Sequence, residues 1–197
     1  MTNTPPDSYR RHFLGTAALA LAALPFATRA GTTSAVPGTH TSLGPLKQVD
    51  AGVLSIGYAE AGPADGPVVI LLHGWPYDII SYVDVAPLLA ARGYRVIVPY
   101  LRGFGTTRFL SGATPRTAQQ YDDMERRLAA APGITIPTIT LEGDANGAPH
   151  QPETAYAGKF KGRYLHRRVS GGIGHNLPQE APEAFAQAVV DVDRMVV

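Results

Sequence analysis

Two apolar runs, separated by a stretch with helical spacing, constrain the fold of this chain more than any other feature. Val68–Leu72 and Tyr94–Pro99 are each long enough for a strand and are almost wholly apolar. Between them, apolar side chains recur at the spacing of one helix face and stop before Gly93, at Val83, Pro87, Leu88 and Ala91. A strand, a helix and a second strand in this order predict a parallel sheet whose apolar strands are buried on both faces.

The same alternation continues along the chain, so the predicted fold class is α/β with a mostly parallel sheet and flanking helices. Lys47–Ala61 has the alternating pattern and the central glycine of a hairpin. Farther along, the pattern predicts strands at Ile134–Leu141 and Tyr164–Val169, a helix around Glu153–Phe160 and a last helix over Pro182–Met195.

The interval between Tyr100 and Ile134 is predicted to contain one helix and no strand. Thr114 is a favourable N-cap residue, and Pro115 suits the first helical position. Apolar residues at helical spacing continue from there to about Ala131. This helix uses most of the interval, which leaves no room for a further strand, helix and strand unit.

Composition excludes several classes of function. The 197 residues are 45% hydrophobic, which is typical of one globular domain. The formal net charge of +1 gives no reason to expect a nucleic acid or an acidic membrane surface as a partner. Because the chain has no cysteine, a disulfide, a thiolate nucleophile and a cysteine-ligated zinc site are all excluded.

The amino-terminal residues are predicted to be an export signal rather than part of the fold. Arg10 and Arg11 precede the apolar run Phe13–Phe26, and small residues precede a predicted cleavage point after Ala30. The run is too short for a membrane-spanning helix, and the paired arginines resemble a twin-arginine signal. The alternative is a buried or anchoring helix.

These features predict three regions and a location. Residues 1–30 are the predicted signal peptide, residues 31–45 are a linker rich in Thr, Ser, Gly and Pro, and residues 46–197 are the domain. The protein is therefore expected to be exported, either periplasmic or secreted, with no stable membrane insertion once the signal is cleaved.

Four motifs stand where predicted strands end. In chain order they are His73-Gly74-Trp75-Pro76, Tyr100-Leu101-Arg102-Gly103-Phe104-Gly105, Leu141-Glu142-Gly143-Asp144 and Ile173-Gly174-His175-Asn176. Open α/β sheets bind ligands along the carboxyl edge of their strands. Taken singly, each motif is also compatible with an ordinary turn. Together, and in this order, they resemble the α/β-hydrolase superfamily, although Tyr100 stands where that family usually has Asp.

The resemblance implies a role for each candidate site residue. The backbone N–H of Trp75 would be an oxyanion donor, with His73, Gly74 and Pro76 forming its turn. Asp144 would be the acidic member of a catalytic triad. His175 would be the general base, since an imidazole titrates near neutrality. The Trp-Pro pair most resembles the epoxide hydrolase and haloalkane dehalogenase branch.

One part of the family pattern is missing from the sequence. No Ser or Asp is flanked by glycines two residues before and two residues after it, so the nucleophile elbow of the family is not found. We infer an internal deletion near Gln119–Asp122 that removes the elbow and the cap. The expected fold is therefore an incomplete α/β-hydrolase domain, in which the strand Val68–Leu72 either pairs with the strand Ile134–Leu141 or is separated from it by a gap.

Two interpretations of function remain open from the sequence. The first is a hydrolase of small molecules in which Asp144 and His175 activate water and Trp75 polarises the substrate. The second is a non-catalytic remnant or small binding module with little turnover. A nucleotide-binding protein is a distant third, because neither a P-loop nor a complete dinucleotide-binding fingerprint is present. No cofactor and no metal are implied.

Overall fold

The computed structural model describes residues 42–114, 125–131, 133–150 and 152–195. All of them belong to one compact unit, Pro37–Val197. Its strands are β1 (Lys47–Ala51), β2 (Leu54–Ala61), β3 (Val68–Ile70), β4 (Arg95–Pro99), β5 (Arg108–Phe109), β6 (Thr138–Gly143) and β7 (Tyr164–Val169). Its α-helices are α1 (Val85–Ala90), α2 (Leu177–Glu180) and α3 (Pro182–Asp193). In this part of the chain no helix combines the length and the hydropathy needed to cross a membrane.

The larger sheet has the strand order β1-β2-β4-β3, with β5 also paired to β2. The predicted hairpin is confirmed, because β1 and β2 are antiparallel and Ala51 lies opposite Leu54 across the turn at Gly52. The predicted parallel pair is confirmed as well. β3 and β4 run in the same direction, with Val68 opposite Arg95.

The smaller sheet consists of β6 and β7, which are parallel from the Thr138 and Tyr164 pair to the Gly143 and Val169 pair. Helix α3 contacts both α1 and β6, so it connects the two sheets through the core. The core is centred on fully buried side chains of α1, β4 and α3, among them Val85, Leu89, Val96, Val98 and Ala186. The α/β fold class is confirmed, with antiparallel strands added at one end of the larger sheet.

Strand β3 departs from the prediction that it is buried on both faces. Val68, Ile70 and Leu72 are 55%, 59% and 58% exposed, whereas Leu71 is buried. The reason is its place in the sheet. β3 is the last strand of its order, and no described element covers the face on which these three side chains stand. The backbone of Leu71 bonds to β4, so the alternate residues Val68 and Ile70 direct their N–H and C=O groups toward the unpaired edge.

β3 does not pair with β6, because the two strands belong to separate sheets. Of the two outcomes expected for these strands, direct pairing is therefore wrong. In the described residues between β4 and β6, one short strand is present, and it bonds to β2 rather than to β3 or β6.

That short strand, β5, is a correction to the sequence analysis. Arg108 and Phe109 pair with Ser55 and Leu54, although no strand was predicted between Tyr100 and Ile134. Two residues are too few to show any periodicity, so the prediction had no signal to use.

Two other predicted elements also differ from the structure. Glu153–Ala155 and Ala157–Lys159 are short 3₁₀ turns where one helix was predicted. Ile134 forms an isolated bridge with Phe160, and the regular strand begins only at Thr138. Pro137, which has no N–H to donate, stands directly before it.

Several predictions fall wholly or partly outside the described residues. These are the signal peptide, most of the linker and the start of the helix after Thr114, although residues 125–129 are helical. Leu43 lies within the predicted linker and packs against the core, and β1 begins at Lys47. The domain boundary at Leu46 stays a prediction.

Candidate functional site

The His73 side chain connects the turn after β3 to the loop after β4. Its side chain is buried, and the backbone N–H of Leu101 donates to its Nε2 at 3.1 Å. Phe104 packs edge-on against the imidazole with the ring centroids 4.6 Å apart. Because Nε2 accepts this hydrogen bond, it carries no proton and is not available to a ligand. His73 therefore holds the turn in place rather than presenting a reactive group.

The loop after β4 is closed by Tyr100, the residue that stands where the family usually has Asp. The N–H of Tyr100 donates to Gly57 O at 2.8 Å, and the Thr107 hydroxyl donates to Tyr100 O at 2.7 Å. Gly105 has φ +49, and a Cβ at that position would lie 2.5 Å from the Tyr100 ring. Glycine is therefore required there, both for the backbone conformation and for the close contact.

Trp75 projects from the turn that His73 holds. Its side chain is 83% exposed, the Trp75–Pro76 peptide is cis, and Gly74 and Trp75 line a cleft. Among the described residues, the Trp75 backbone N–H has no hydrogen-bond partner. The predicted role of this N–H as an oxyanion donor requires that no other group occupies it.

Asp144 lies at the end of β6 and is committed to the loop that follows β7. Its carboxylate accepts the backbone N–H groups of Gly171, Gly172 and Ile173 at 2.9, 3.0 and 2.8 Å. These hydrogen bonds, that of Gly171 most of all, lower the pKa of Asp144 below its ordinary value. Within the described part of the chain, Asp144 makes no hydrogen bond to His175. The contact that would orient the base of a triad is absent there.

His175 lies on the loop between β7 and α2 and faces the same cleft as Trp75. Its imidazole stacks on Tyr77, with ring centroids 6.0 Å apart and planes 29° apart. The structure shows no hydrogen bond from either ring nitrogen to another described residue. The imidazole is exposed and can accept or donate a proton to a molecule bound in the cleft.

The cleft has a volume of about 360 Å³ and lies between the turn after β3, the strand β6 and the helix α3. Its lining is mostly apolar: Gly74, Trp75, Tyr77, Tyr82, Ile139, Leu141, His175, Leu177, Pro178, Phe185, Ala188, Val189 and Val192. Of the predicted site residues, the structure thus brings Gly74, Trp75 and His175 to one cavity, while Asp144 does not line it. A smaller cavity of about 250 Å³ next to Gly103 contains none of them.

Tyr82 forms the floor between the turn and the helices. Its hydroxyl donates to Leu72 O at 2.7 Å, and its ring lies 5.8 Å from that of Phe185. Burial raises the pKa of this phenol, so it stays protonated and keeps the bond across the neutral range.

A polar cluster centred on Glu142 lies beside Asp144. Glu142 meets His150 Nδ1 at 2.6 Å and His166 Nε2 at 3.2 Å, and His150 Nε2 lies 3.0 Å from the carbonyl oxygen of Asp144. The hydrogen bond from His150 is the main cause that lowers the pKa of Glu142. Across the described ranges, no group of three or more His, Asp or Glu side chains is arranged to hold a metal ion.

Known proteins resemble the chain in both sequence and structure. Residues 67–135 match the family model of the alpha/beta hydrolase fold. A candidate epoxide hydrolase of known structure from Klebsiella pneumoniae is 32% identical, with a TM-score of 0.71, over 77% of this chain and 98% of that chain. This chain belongs to the α/β-hydrolase superfamily.

Curated relatives that resemble part of this α/β-hydrolase include haloalkane dehalogenases and epoxide hydrolases. A haloalkane dehalogenase from Mycobacterium marinum is 50% identical over 56 residues, which are 28% of this chain and 19% of the relative. Epoxide hydrolase A from Mycobacterium tuberculosis is 36% identical over 74 residues, which are 38% of this chain and 21% of the relative. Each of these curated relatives is thus matched over about a fifth of its own length.

Sequence analysis of this α/β-hydrolase missed residues that shape the site. Tyr77, which stacks on His175, and Ser81, which accepts a hydrogen bond from the Asn176 side chain at 3.2 Å, belong to no motif. Glu180 accepts the backbone N–H groups of Gly174 and Asn176. Glu180 stands five residues after His175, and this spacing indicates a contact with the loop only when the loop is known to turn back toward α2.

Proposed function

We propose that this α/β-hydrolase keeps the base and the oxyanion turn of the epoxide hydrolase and haloalkane dehalogenase type, lacks a nucleophile and has little turnover. One observation carries the proposal. In the described part of the chain, the cleft that His175 and Trp75 share is lined by no Ser, Thr, Cys, Asp or Glu side chain. A covalent mechanism needs such a group within hydrogen-bond reach of the base.

The environment of Asp144 supports the same proposal. A triad base is oriented by a carboxylate that accepts its second ring N–H. Here the Asp144 carboxylate accepts three backbone N–H groups and, among the described residues, no N–H of His175. The two residues are thus placed for separate structural and chemical roles.

We infer that an internal deletion near Gln119–Asp122 accounts for the missing nucleophile. The support is the sequence order: the approach to the helix after Thr114 is followed at once by the approach to β6, with no elbow between them. Sequencing the gene across the codons for Thr117–Asp122 tests this directly. An additional in-frame segment encoding a Gly-flanked Ser or Asp would restore the active-hydrolase interpretation for the full protein.

A second candidate function is an active hydrolase that uses activated water. It is favoured by the proximity, in one cleft, of a His175 imidazole and a Trp75 N–H that are both without hydrogen-bond partners among the described residues. Water bound beside His175 would attack an ester carbonyl carbon or an epoxide carbon as His175 takes its proton, and the Trp75 N–H would stabilise the substrate oxygen that gains the negative charge. His175 would then return the proton to the alkoxide oxygen released when the substrate C–O bond breaks.

The two candidates are distinguished by hydrolysis assays on purified protein with epoxide, haloalkane and ester probes. The unmodified chain is compared with His175→Ala and Asp144→Ala, and with Glu183→Gln as a surface control, after each variant has been shown to be folded. We expect rates at background for all four proteins. Turnover above background that Glu183→Gln retains and His175→Ala loses would refute the proposal and establish the water mechanism.

A further inference from the structure

Glu180 makes an unusual pair of contacts at the end of α2. Its Oε2 accepts the backbone N–H of Gly174 at 2.6 Å, and its Oε1 accepts the backbone N–H of Asn176 at 3.0 Å. These two residues flank His175 in the sequence. One carboxylate therefore holds the main chain on both sides of the candidate base.

Helix capping explains only half of this arrangement. Asn176 is the N-cap residue of α2, and Glu180, four residues farther on, accepts its N–H much as the residue three after the N-cap does in a capping box. The bond to Gly174 lies on the far side of His175, outside the helix, and a cap does not require it. A Cβ on Gly174 would lie 2.9 Å from Glu180 Oε2, so the approach of the carboxylate depends on glycine at that position.

The rest of the loop is fixed by its neighbours. The Asn176 side chain is buried and donates to the Ser81 hydroxyl oxygen, which ties the loop to the 3₁₀ turn Ile79–Tyr82. The His175 ring stacks on Tyr77, which precedes that turn. Because the N–H groups of Gly174 and Asn176 both donate to Glu180, the position of the His175 ring depends on its side-chain torsions and on the stacking contact with Tyr77.

We propose that Glu180 is a positioning residue for His175, which sets the imidazole in the cleft by holding the peptide groups on both sides of it. It supplies the rigidity that Asp144, bonded to Gly171–Ile173, does not supply to the base. The proposal rests on the proposed role of His175 as the base, but its test does not depend on turnover.

The test is NMR spectroscopy on Glu180→Ala and Glu180→Gln, with Glu183→Gln as the matched control one turn farther along. Glu183 is exposed and carries the same charge. In Glu180→Ala we expect amide hydrogen exchange at Gly174 and Asn176 to rise on the order of ten-fold each, because each loses one hydrogen bond to a charged group. The His175 ring signals should shift toward those of an unstructured histidine.

Glu180→Gln should give partial rescue, because its single amide oxygen replaces one acceptor and its NH₂ group repels the other N–H. Glu183→Gln should change neither the exchange rates nor the ring signals. If Glu180→Ala does not fold, Gly174→Ala pushes on the same carboxylate from the other side and should shift the His175 signals in the folded protein.

Faster exchange without any change in the His175 ring signals would show that Glu180 only caps α2, and would overturn the proposal. Unchanged exchange at Gly174 in folded Glu180→Ala would overturn it as well. Turnover of a hydrolysis probe by the unmodified chain would refute the proposed lack of activity. The NMR result would still decide whether Glu180 positions His175.

Discussion

Replacing Asn176 by Ala tests the link between the two parts of the site. Asn176 is 7% exposed, and its side-chain amide donates to the Ser81 hydroxyl oxygen at 3.2 Å and to Gln179 Oε1 at 2.8 Å. The first bond joins the loop of the candidate base to the turn that follows Trp75. The substitution removes both bonds and leaves the buried Ser81 hydroxyl without this donor.

The expected loss of stability follows from the burial of each bond. A net hydrogen bond contributes about 0.5–1.5 kcal/mol, and a buried group left unpaired costs about 1–3 kcal/mol. Gln179 is exposed, so water replaces its bond at little cost. Asn176→Ala should therefore lower the free energy of unfolding by about 1–3 kcal/mol, and Ser81→Ala should lower it by about 1 kcal/mol.

Urea unfolding of the two single variants and the double variant measures the bond itself. Because Asn176 and Ser81 share it, their effects should not add, and we expect a coupling of about 0.5–1.5 kcal/mol at constant m-value. Additivity within about 0.3 kcal/mol would refute the inference that this bond joins the loop to the turn. A change within about 0.5 kcal/mol for Asn176→Ala alone would place it among ordinary surface substitutions, which contradicts its burial.

Three further predictions concern the edge strand, acid stability and export. Ile70→Lys should reduce aggregation in light scattering with little effect on the urea midpoint, because charge on an exposed edge strand opposes edge-to-edge pairing. The lowered pKa of Asp144 gives stability that is present above its ordinary value of 3.8 and is lost as pH falls through the folded value, so the stability difference between the unmodified chain and Asp144→Asn should shrink below pH 3.8. Changing Arg10 and Arg11 to Lys should trap the precursor in the cytoplasm, and export of that variant in a fractionation assay would contradict the twin-arginine interpretation.

The strands with a strong pattern were predictable from sequence. β7 spans the predicted Tyr164–Val169, and β4 lies within the predicted Tyr94–Pro99. β4 has three β-branched residues in a row before Pro99, and β7 lies between Gly162 and Gly171. Burial was harder to predict, because an apolar run is compatible with a central strand or with an edge strand. The exposed side of β3 is the second case.

Only those site residues whose position is determined by the end of a strand could be predicted from the sequence. Trp75 and His175 each follow a strand of a parallel pair, and both line the cleft. Small differences in position decide which donor a carboxylate contacts. The sequence around Asp144 has no feature that shows whether its donors are backbone N–H groups or an imidazole. Glu180 was beyond prediction for a related reason, since its contacts depend on how sharply the loop turns back.

Among the described residues, β3 ends its sheet with an unpaired edge, and β6 belongs to a separate sheet. Ile70 on β3 is 59% exposed, and Leu141 on β6 lines the apolar cleft. Such an edge leaves backbone groups unpaired, and an apolar surface in contact with water forfeits about 25 cal/mol for each Å² that a neighbouring strand would cover. A chain with such an edge can lower its free energy by association with other chains. We expect that restoring the segment whose deletion we infer would raise stability and supply a nucleophile together, because its strands would cover the β3 edge and present the reactive group to His175.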